Sequence, residues 1–319
     1  MPGYDSIIKP KTSGLSISIE PVHNTLYSLL LLENNLEISG LSPRLIEIYN
    51  SMSEELKTRN RIVMNGLYHS VIPDKSVGDF ETFLSELSKR DPEKLRDQTL
   101  SVYSNLYESK NGIIPVKDDI LKSVNTYISF LLGTFGSDRI DIEVETEAYK
   151  YMVNPEKLKG LLVLHLTEMW DRFFKIEWEN NKSLLEASVQ AYIDAGIDHL
   201  DKVEAVKVLG CESMDCNWGL LAEKINNAKK VFLVPSVHLG PYNGKIHQME
   251  TGIIWLFYGS LMPEGYNNNT SELSKADVLI HLNALTDEIR LEILNLCSTG
   301  TEYSSTQLMY LVNVSHSAI

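Results

Sequence analysis

The spacing of apolar and polar residues changes several times along the chain, and each change marks an element. Leu15, Ile17 and Ile19 alternate with Ser16, Ser18 and Glu20. That is the two-residue period of a half-buried strand, which Pro21 should end. From Val22 the period lengthens to that of a helix carrying Leu26, Leu29, Leu30 and Leu32. Further helical stretches are expected over 42–57, 79–90, 91–107 and 117–132. Pro43 and Pro92 follow the capping residues Ser42 and Asp91, an arrangement that suits a first helical turn. Ile140, Ile142 and Val144 alternate with Asp141, Glu143 and Glu145, which suits a strand, although a helix start would use the same acids. Asn154-Pro155-Glu156 opens a long helix expected to reach Trp178 or beyond. Its apolar face carries Leu158, Leu161, Leu162, His165, Met169, Phe173 and Ile176. Trp170, Phe174 and Trp178 lie four apart on the neighbouring stripe.

Residues 231–234 and 253–258 are apolar without a break, as strands buried on both faces are. Between them Gly240-Pro241-Tyr242-Asn243-Gly244 is dense in turn chemistry, so the two runs are expected to be adjacent antiparallel strands. Near the C-terminal end, Val278, Leu282, Leu285, Ile289, Ile293 and Leu296 form one helical stripe. That helix should stop near Cys297, where Ser298, Thr299 and Gly300 break it. A second helix starts at Ser304, whose hydroxyl can accept from a free backbone N–H while Gln307 reaches back, as a capping box requires. Leu308, Leu311 and Val312 give it a buried face. Asn313 and Val314 make a turn, Ser315 caps a third helix opening at His316, and the sequence stops at Ile319, barely one turn later. A helix, a capped short helix, a three-residue turn and a new capped helix form the core of a helix-turn-helix.

The segments ALTDEIRLEILNLC and SSTQLMYLVNVSHSAI resemble the winged-helix domain of ArsR-type bacterial transcriptional regulators, including the T-D-E-x-R-L-x-I-L run over 286–294. The P-S-x-H-L-G-P-Y motif from Pro235 to Tyr242, the W-D-R-F-F helix and the ISIEPVHNTLYSLLLL segment are similar to the large N-terminal domain of one long subgroup of those regulators. The likeness spans nearly the whole chain and is weakest over 50–150. It implies a helix-rich α+β protein in three parts. Residues 1–14 would be a loose tail. Residues 15–270 would form a large helical sensor and dimerisation domain with a small antiparallel sheet. Residues 275–319 would begin a winged helix-turn-helix whose recognition helix and wing are incomplete. The implied partners are double-stranded DNA, a second copy of the chain and a small-molecule effector. The implied DNA contacts are Ser304, Gln307, Ser315, His316 and Ser317, the last three at a helix N-terminus, where N–H groups meet phosphates. Many ArsR-type sensors carry metal-binding cysteines in the helix that corresponds to 304–312. This sequence has none there, which disfavours a metal sensor.

Composition narrows the picture. The 319 residues are 43% hydrophobic and 23% charged, which is ordinary for a globular protein. A formal charge of −14 argues against a generally basic nucleic-acid surface and against an anionic membrane partner. From Ala276 onward five acids face Arg290 alone. DNA affinity comes largely from neutralising phosphates, so the DNA-binding reading needs lysines and arginines beyond Ile319. The alternative is a ligand-binding or protein-interaction module that binds no DNA. Cys211, Cys216 and Cys297 are odd in number and irregularly spaced, which fits a reducing cytoplasm better than a disulfide framework. The N-terminal residues carry no signal-peptide core, and the leucine cluster 29–32 is too short to span a bilayer.

Candidate chemistry is sparse. Trp170, Phe174, Trp178, His238 and Tyr242 could line a pocket for a flat apolar ligand, though an aromatic stripe at helical spacing is more often core packing. His165 and Glu168 are one turn apart and could share a metal, as could Cys211, Cys216, His238 and His247. The first pair has no matching pair elsewhere at ligand spacing and the C-x4-C spacing of the second set is loose, so no metal or cofactor is expected. There is no nucleophile elbow, phosphate-binding glycine loop or H-E-x-x-H, and an enzyme is not expected. Asp141, Glu143, Glu145 and Glu147 read as a solvated acidic face.

Overall fold

The computed structural model describes residues 12–33, 41–113, 115–210, 218–240, 243–248, 252–259, 288–298 and 304–312. A short first strand, β1 (Leu15–Ile17), leads into α1 (Pro21–Glu33), and the helical part follows: α2 (Pro43–Ser51), α3 (Glu54–Arg61), α4 (Tyr68–Val71), α5 (Phe80–Lys89), α6 (Pro92–Asn111), α7 (Lys117–Ile120), α8 (Val124–Phe135), α9 (Ile142–Met152), α10 (Pro155–Met169), α11 (Lys175–Asp194), α12 (Lys202–Val208) and α13 (Trp218–Asn227). Then come β2 (Lys230–Ser236), β3 (Asn243–Gln248) and β4 (Ile253–Gly259), and finally α14 (Glu288–Ser298) and α15 (Ser305–Val312).

The local signals explain most boundaries. Asp91 accepts from the backbone N–H groups of Glu93 and Lys94 and so caps α6, with Pro92 just inside. Asn154 does the same for α10 through Lys157. The helix expected over 42–57 is two helices, because Met52 is extended and Ser53 caps a new one by accepting from Leu56 N–H. Asp141 resolves the 140–145 ambiguity in favour of a helix: its carboxylate accepts from Glu143 and Val144 N–H and opens α9.

The sheet order is β1-β2-β4-β3. β1 runs parallel to β2 and β2 parallel to β4, with Phe232 opposite Trp255 and Val234 opposite Phe257. The expected antiparallel pairing of the two apolar runs is therefore wrong, although they are neighbours. The glycine-rich turn does not join them directly. It leads into β3, which lies beyond β4 and forms an antiparallel hairpin with it, so the chain reverses twice and β4 points the same way as β2. Gly244 lets β3 lie close to α1, since a Cβ there would sit 1.7 Å from the Tyr27 hydroxyl.

Two cores explain why β2 and β4 are apolar on both faces. Phe232, Val234, Trp255 and Phe257 face the main helical core with α1, while Val231, Leu233, Ile254, Leu256 and Tyr258 face a smaller layer that includes Tyr192, Ala205, Val206, Leu221 and Ile225. Each such side chain contributes about 1.5–3 kcal/mol by burial. Rings stack across the α1 side: His23 on Trp255 at 4.0 Å, Trp255 with Phe232 at 5.4 Å, and Tyr27 on Phe257 at 4.2 Å.

Two π-helical turns interrupt the helical layer. Ile62–Gly66 continues α3, and Trp170–Phe174, the W-D-R-F-F segment, joins α10 to α11. A π turn inserts one extra residue and so moves the buried face on by one position. This corrects the expected apolar face beyond Met169. Ile176 is exposed, while Phe174 and Glu177 take the inward positions.

Candidate functional site

Three places in the structure carry polar chemistry that the core does not require. The first joins the two motifs 17–32 and 235–242. The Asn24 side chain donates to Pro235 O at 2.7 Å, and Ser28 Oγ lies 2.8 Å from His238 Nδ1 while donating to Asn24 O. With its single proton given to Asn24, the Ser28 hydroxyl accepts from Nδ1, which leaves the other ring nitrogen facing Glu177. His238 Nε2 is 3.9 Å from Glu177 Oε2, and Arg44 Nε donates to Glu177 Oε1 at 2.7 Å. Glu177 is held below the ordinary carboxylate range, first by His238 and then by Arg44, against the opposing effect of burial. The line Ser28–His238–Glu177 looks like a nucleophile, base and orienting acid. The serine is 1% exposed in the middle of α1, however, so no substrate reaches it. We read the line as a tie between α1, α2, α11 and the end of β2.

Beside it, Glu20 has a positive φ of 40° just before Pro21, a strained conformation. Burial raises its pKa, yet hydrogen bonds with His23, Ser18 and Ser76 outweigh that and leave it lowered.

Of the predicted ligand residues, His238 is part of this tie and Phe174 packs on it. Trp170 is buried, stacks on Phe80 at 4.7 Å and donates its indole N–H to Glu81 at 3.0 Å. Phe174 is buried with its ring edge-on to His238 at 6.0 Å, and Trp178 packs half-buried against the main core. Tyr242 lies outside the described residues. His165 hydrogen-bonds Asn60, and Glu168 pairs with Arg59 and Arg172, so these two side chains are engaged separately. Cys211 and Cys216 lie outside the described residues, among which no group of three metal-ligating side chains occurs.

The second place is a cavity of about 370 Å³ beside the Ile62–Gly66 π turn. Tyr68, His69, Tyr103 and Phe135 wall it. Leu30, Met64 and Val144 add apolar surface, Glu145 lies in it, and Asn65, Arg139 and Asp141 stand at its rim. His69 meets Tyr103 edge-on at 5.5 Å, and Tyr103 meets Phe135 at 5.1 Å. Burial pushes the His69 imidazole down to about 4, so it is neutral at pH 7. Burial first, opposed by a 3.4 Å hydrogen bond from Tyr127 and reinforced by the charge of Asp141, raises Glu145 to about 8. The Tyr68 hydroxyl is out of solvent with no hydrogen-bond partner among the described residues. A cavity lined in equal part by apolar and polar groups, with shifted titrations among the polar ones, has features of a ligand site.

None of this cavity was anticipated. Glu145 was read as solvated, and here it is corrected to buried. A signal was present: with Asp141 as cap, the helical period puts Val144, Glu145, Ala148 and Met152 on one inward face. Glu143 remains exposed and Glu147 pairs with Lys150, as a solvated face would. Glu177 was missed because the π turn that aims it inward has no periodic signature.

The third place is the α14–α15 pair. The Ser304 N–H donates to Gln307 Oε1 at 2.8 Å, and the Gln307 N–H donates to Ser304 Oγ at 3.3 Å, which is the reciprocal cap expected from the sequence. α15 packs on α14, and Val312 is buried. Ser315, His316 and Ser317 lie outside the described residues, as do the expected third helix and wing. Among the described residues no helix is long and apolar enough to cross a membrane. No protein-family model matches this chain, and neither does any curated protein or solved structure.

Proposed function

We propose that the protein is a DNA-binding transcriptional regulator of ArsR-like type, whose large helical domain senses an effector and controls the helices at the C-terminal end. The observation that carries this reading is the α14–α15 pair, in which a Ser304–Gln307 capping box opens a short helix packed on a longer one. A short capped helix packed on a longer one is also what precedes the recognition helix of a helix-turn-helix, and this supports the reading. The cavity beside the Ile62–Gly66 π turn supplies a place for an effector. Such a regulator works as a homodimer: an effector that prefers one arrangement changes the spacing of two recognition helices, which must match half-sites about 34 Å apart.

The test is fluorescence anisotropy of the full-length natural protein with the DNA upstream of its own gene. Affinity should fall by at least about a hundredfold between 50 and 200 mM salt, on the order expected when several phosphates are neutralised. Salt-insensitive binding, or none, would remove the regulator reading. One observation favours a second reading, a ligand-binding or interaction module without DNA: Arg290 is the sole basic residue among the last 44, against five acids.

A further inference from the structure

The cavity beside the π turn has a composition that selects for one kind of charge. Its walls are the rings of Tyr68, Tyr103 and Phe135 with a neutral His69, and its polar groups include the carboxyl of Glu145 and the unpartnered Tyr68 hydroxyl. Aromatic faces attract cations through the ring quadrupole, most strongly where water is excluded. Glu145 is 6% exposed, and the one hydrogen-bond contact of its carboxyl among the described residues is the long 3.4 Å approach of Tyr127. Among the described residues the carboxylate form has no ion-pair partner. Asp141 at the rim is paired with Arg61, and its charge is the smallest of the effects on the Glu145 carboxyl. Arg139 is also at the rim but exposed, where water and salt screen it.

We propose that this cavity binds a small organic cation, an ammonium carried on an aromatic ring or short alkyl body, with the ammonium seated against Glu145 and the apolar body against the wall that Tyr68, Tyr103 and Phe135 form. An anion fits poorly: surroundings that disfavour a negative charge on Glu145 itself would disfavour one brought by a ligand. The volume, about 370 Å³, lies near the lower end of ligand sites and suits a molecule of one ring. On binding, the ammonium keeps its proton and the Glu145 carboxyl gives its proton to the buffer, so the ion pair forms with net release of a proton. The proposal names the effector class of the regulator reading and rests on that reading for its biological role alone.

The experiment is isothermal titration calorimetry of the full-length protein, without DNA, using benzylamine, benzyl alcohol and benzoate at pH 7 in two buffers of different ionisation heat. Benzylamine should bind saturably with release of close to one proton, and the other two should bind at least about tenfold more weakly. Glu145→Gln, which keeps the shape of the protonated acid, should abolish the proton release and weaken benzylamine by about tenfold or more. Asn65→Trp, at an exposed rim position outside the core, should block entry and reduce binding by at least as much. The proposal is overturned if benzylamine gives no saturable heat, if benzoate or benzyl alcohol binds as tightly, or if both variants leave benzylamine affinity unchanged. Because the titration contains no DNA, its failure leaves the DNA-binding reading standing, and failure to bind DNA leaves the cavity result standing.

Discussion

Two buried carboxyls, Glu177 and Glu145, sit close to π-helical turns and have opposite fates. Glu177 meets Arg44 and His238, stays ionised and ties α11 to α2 and the end of β2. Glu145 meets Tyr127 at long range and the charge of Asp141, and burial keeps it protonated beside an open cavity. Their exposures differ little, at 7% and 6%. Burial alone therefore does not separate a carboxyl in a structural ion pair from one left without a countercharge beside a cavity. The separation comes from whether the protein supplies the countercharge itself or leaves that position to something else.

The largest effect should come from breaking the satisfied tie. His238→Ala removes the group between Ser28 and Glu177 and leaves a hole beside Phe174, at a cost of about 3 kcal/mol in chemical denaturation. A loss below about 1 kcal/mol would show that the tie is incidental.

Next in size, and opposite in sign, is Glu145→Gln. Folded Glu145 titrates near 8 against an ordinary 4.5, so its contribution is fully present below about pH 4.5 and is lost as pH rises through 8. Linkage alone would put that loss at about 4–5 kcal/mol at pH 8; relaxation of the site and water entering the cavity reduce it, so the variant should stabilise the protein there by on the order of 2 kcal/mol. It should flatten the stability curve over this range. Glu177, with its lowered pKa, behaves the other way: its contribution is present above the ordinary carboxylate range and fades as pH falls through its folded value. Stability curves of wild type and Glu145→Gln from pH 3 to 9 would check both slopes.

Gly66→Ala probes the π turn itself. A Cβ there would meet Ala148 Cβ at 2.6 Å and approach Glu145 Oε2 at 3.7 Å, forcing α9 away from the turn. We expect a loss of about 1–2 kcal/mol, read as a lowered Tm, with any ligand binding in the cavity weakened as well. The smallest effect should be Arg44→Ala. Arg44 is half exposed, so screening limits its pair with Glu177 to under about 1 kcal/mol. A larger loss would mean that the arginine, rather than His238, holds Glu177 ionised.

The sequence by itself determined the local elements. The alternation at Leu15 and Ile17 gave β1, and the uninterrupted apolar runs gave β2 and β4, because a strand covered on both faces admits no polar residue in either phase. Asp91-Pro92, Asn154-Pro155 and the Ser304–Gln307 box marked their helices because each supplies acceptors for N–H groups that no helix can satisfy internally. Strand direction was decided elsewhere. The turn at 240–244 is compatible with either outcome, and only the insertion of β3 at the sheet edge, with Gly244 beneath Tyr27, makes β2 and β4 parallel. The two polar sites also belong to the tertiary structure. A π turn shifts the inward face from Ile176 to Glu177, and the cavity gathers residues from α1, α4, α6, α8 and α9 that lie far apart in sequence. Periodicity reports which face of an element is apolar. Which charge meets a partner and which is left against a cavity depends on how distant elements pack, and no local pattern encodes that.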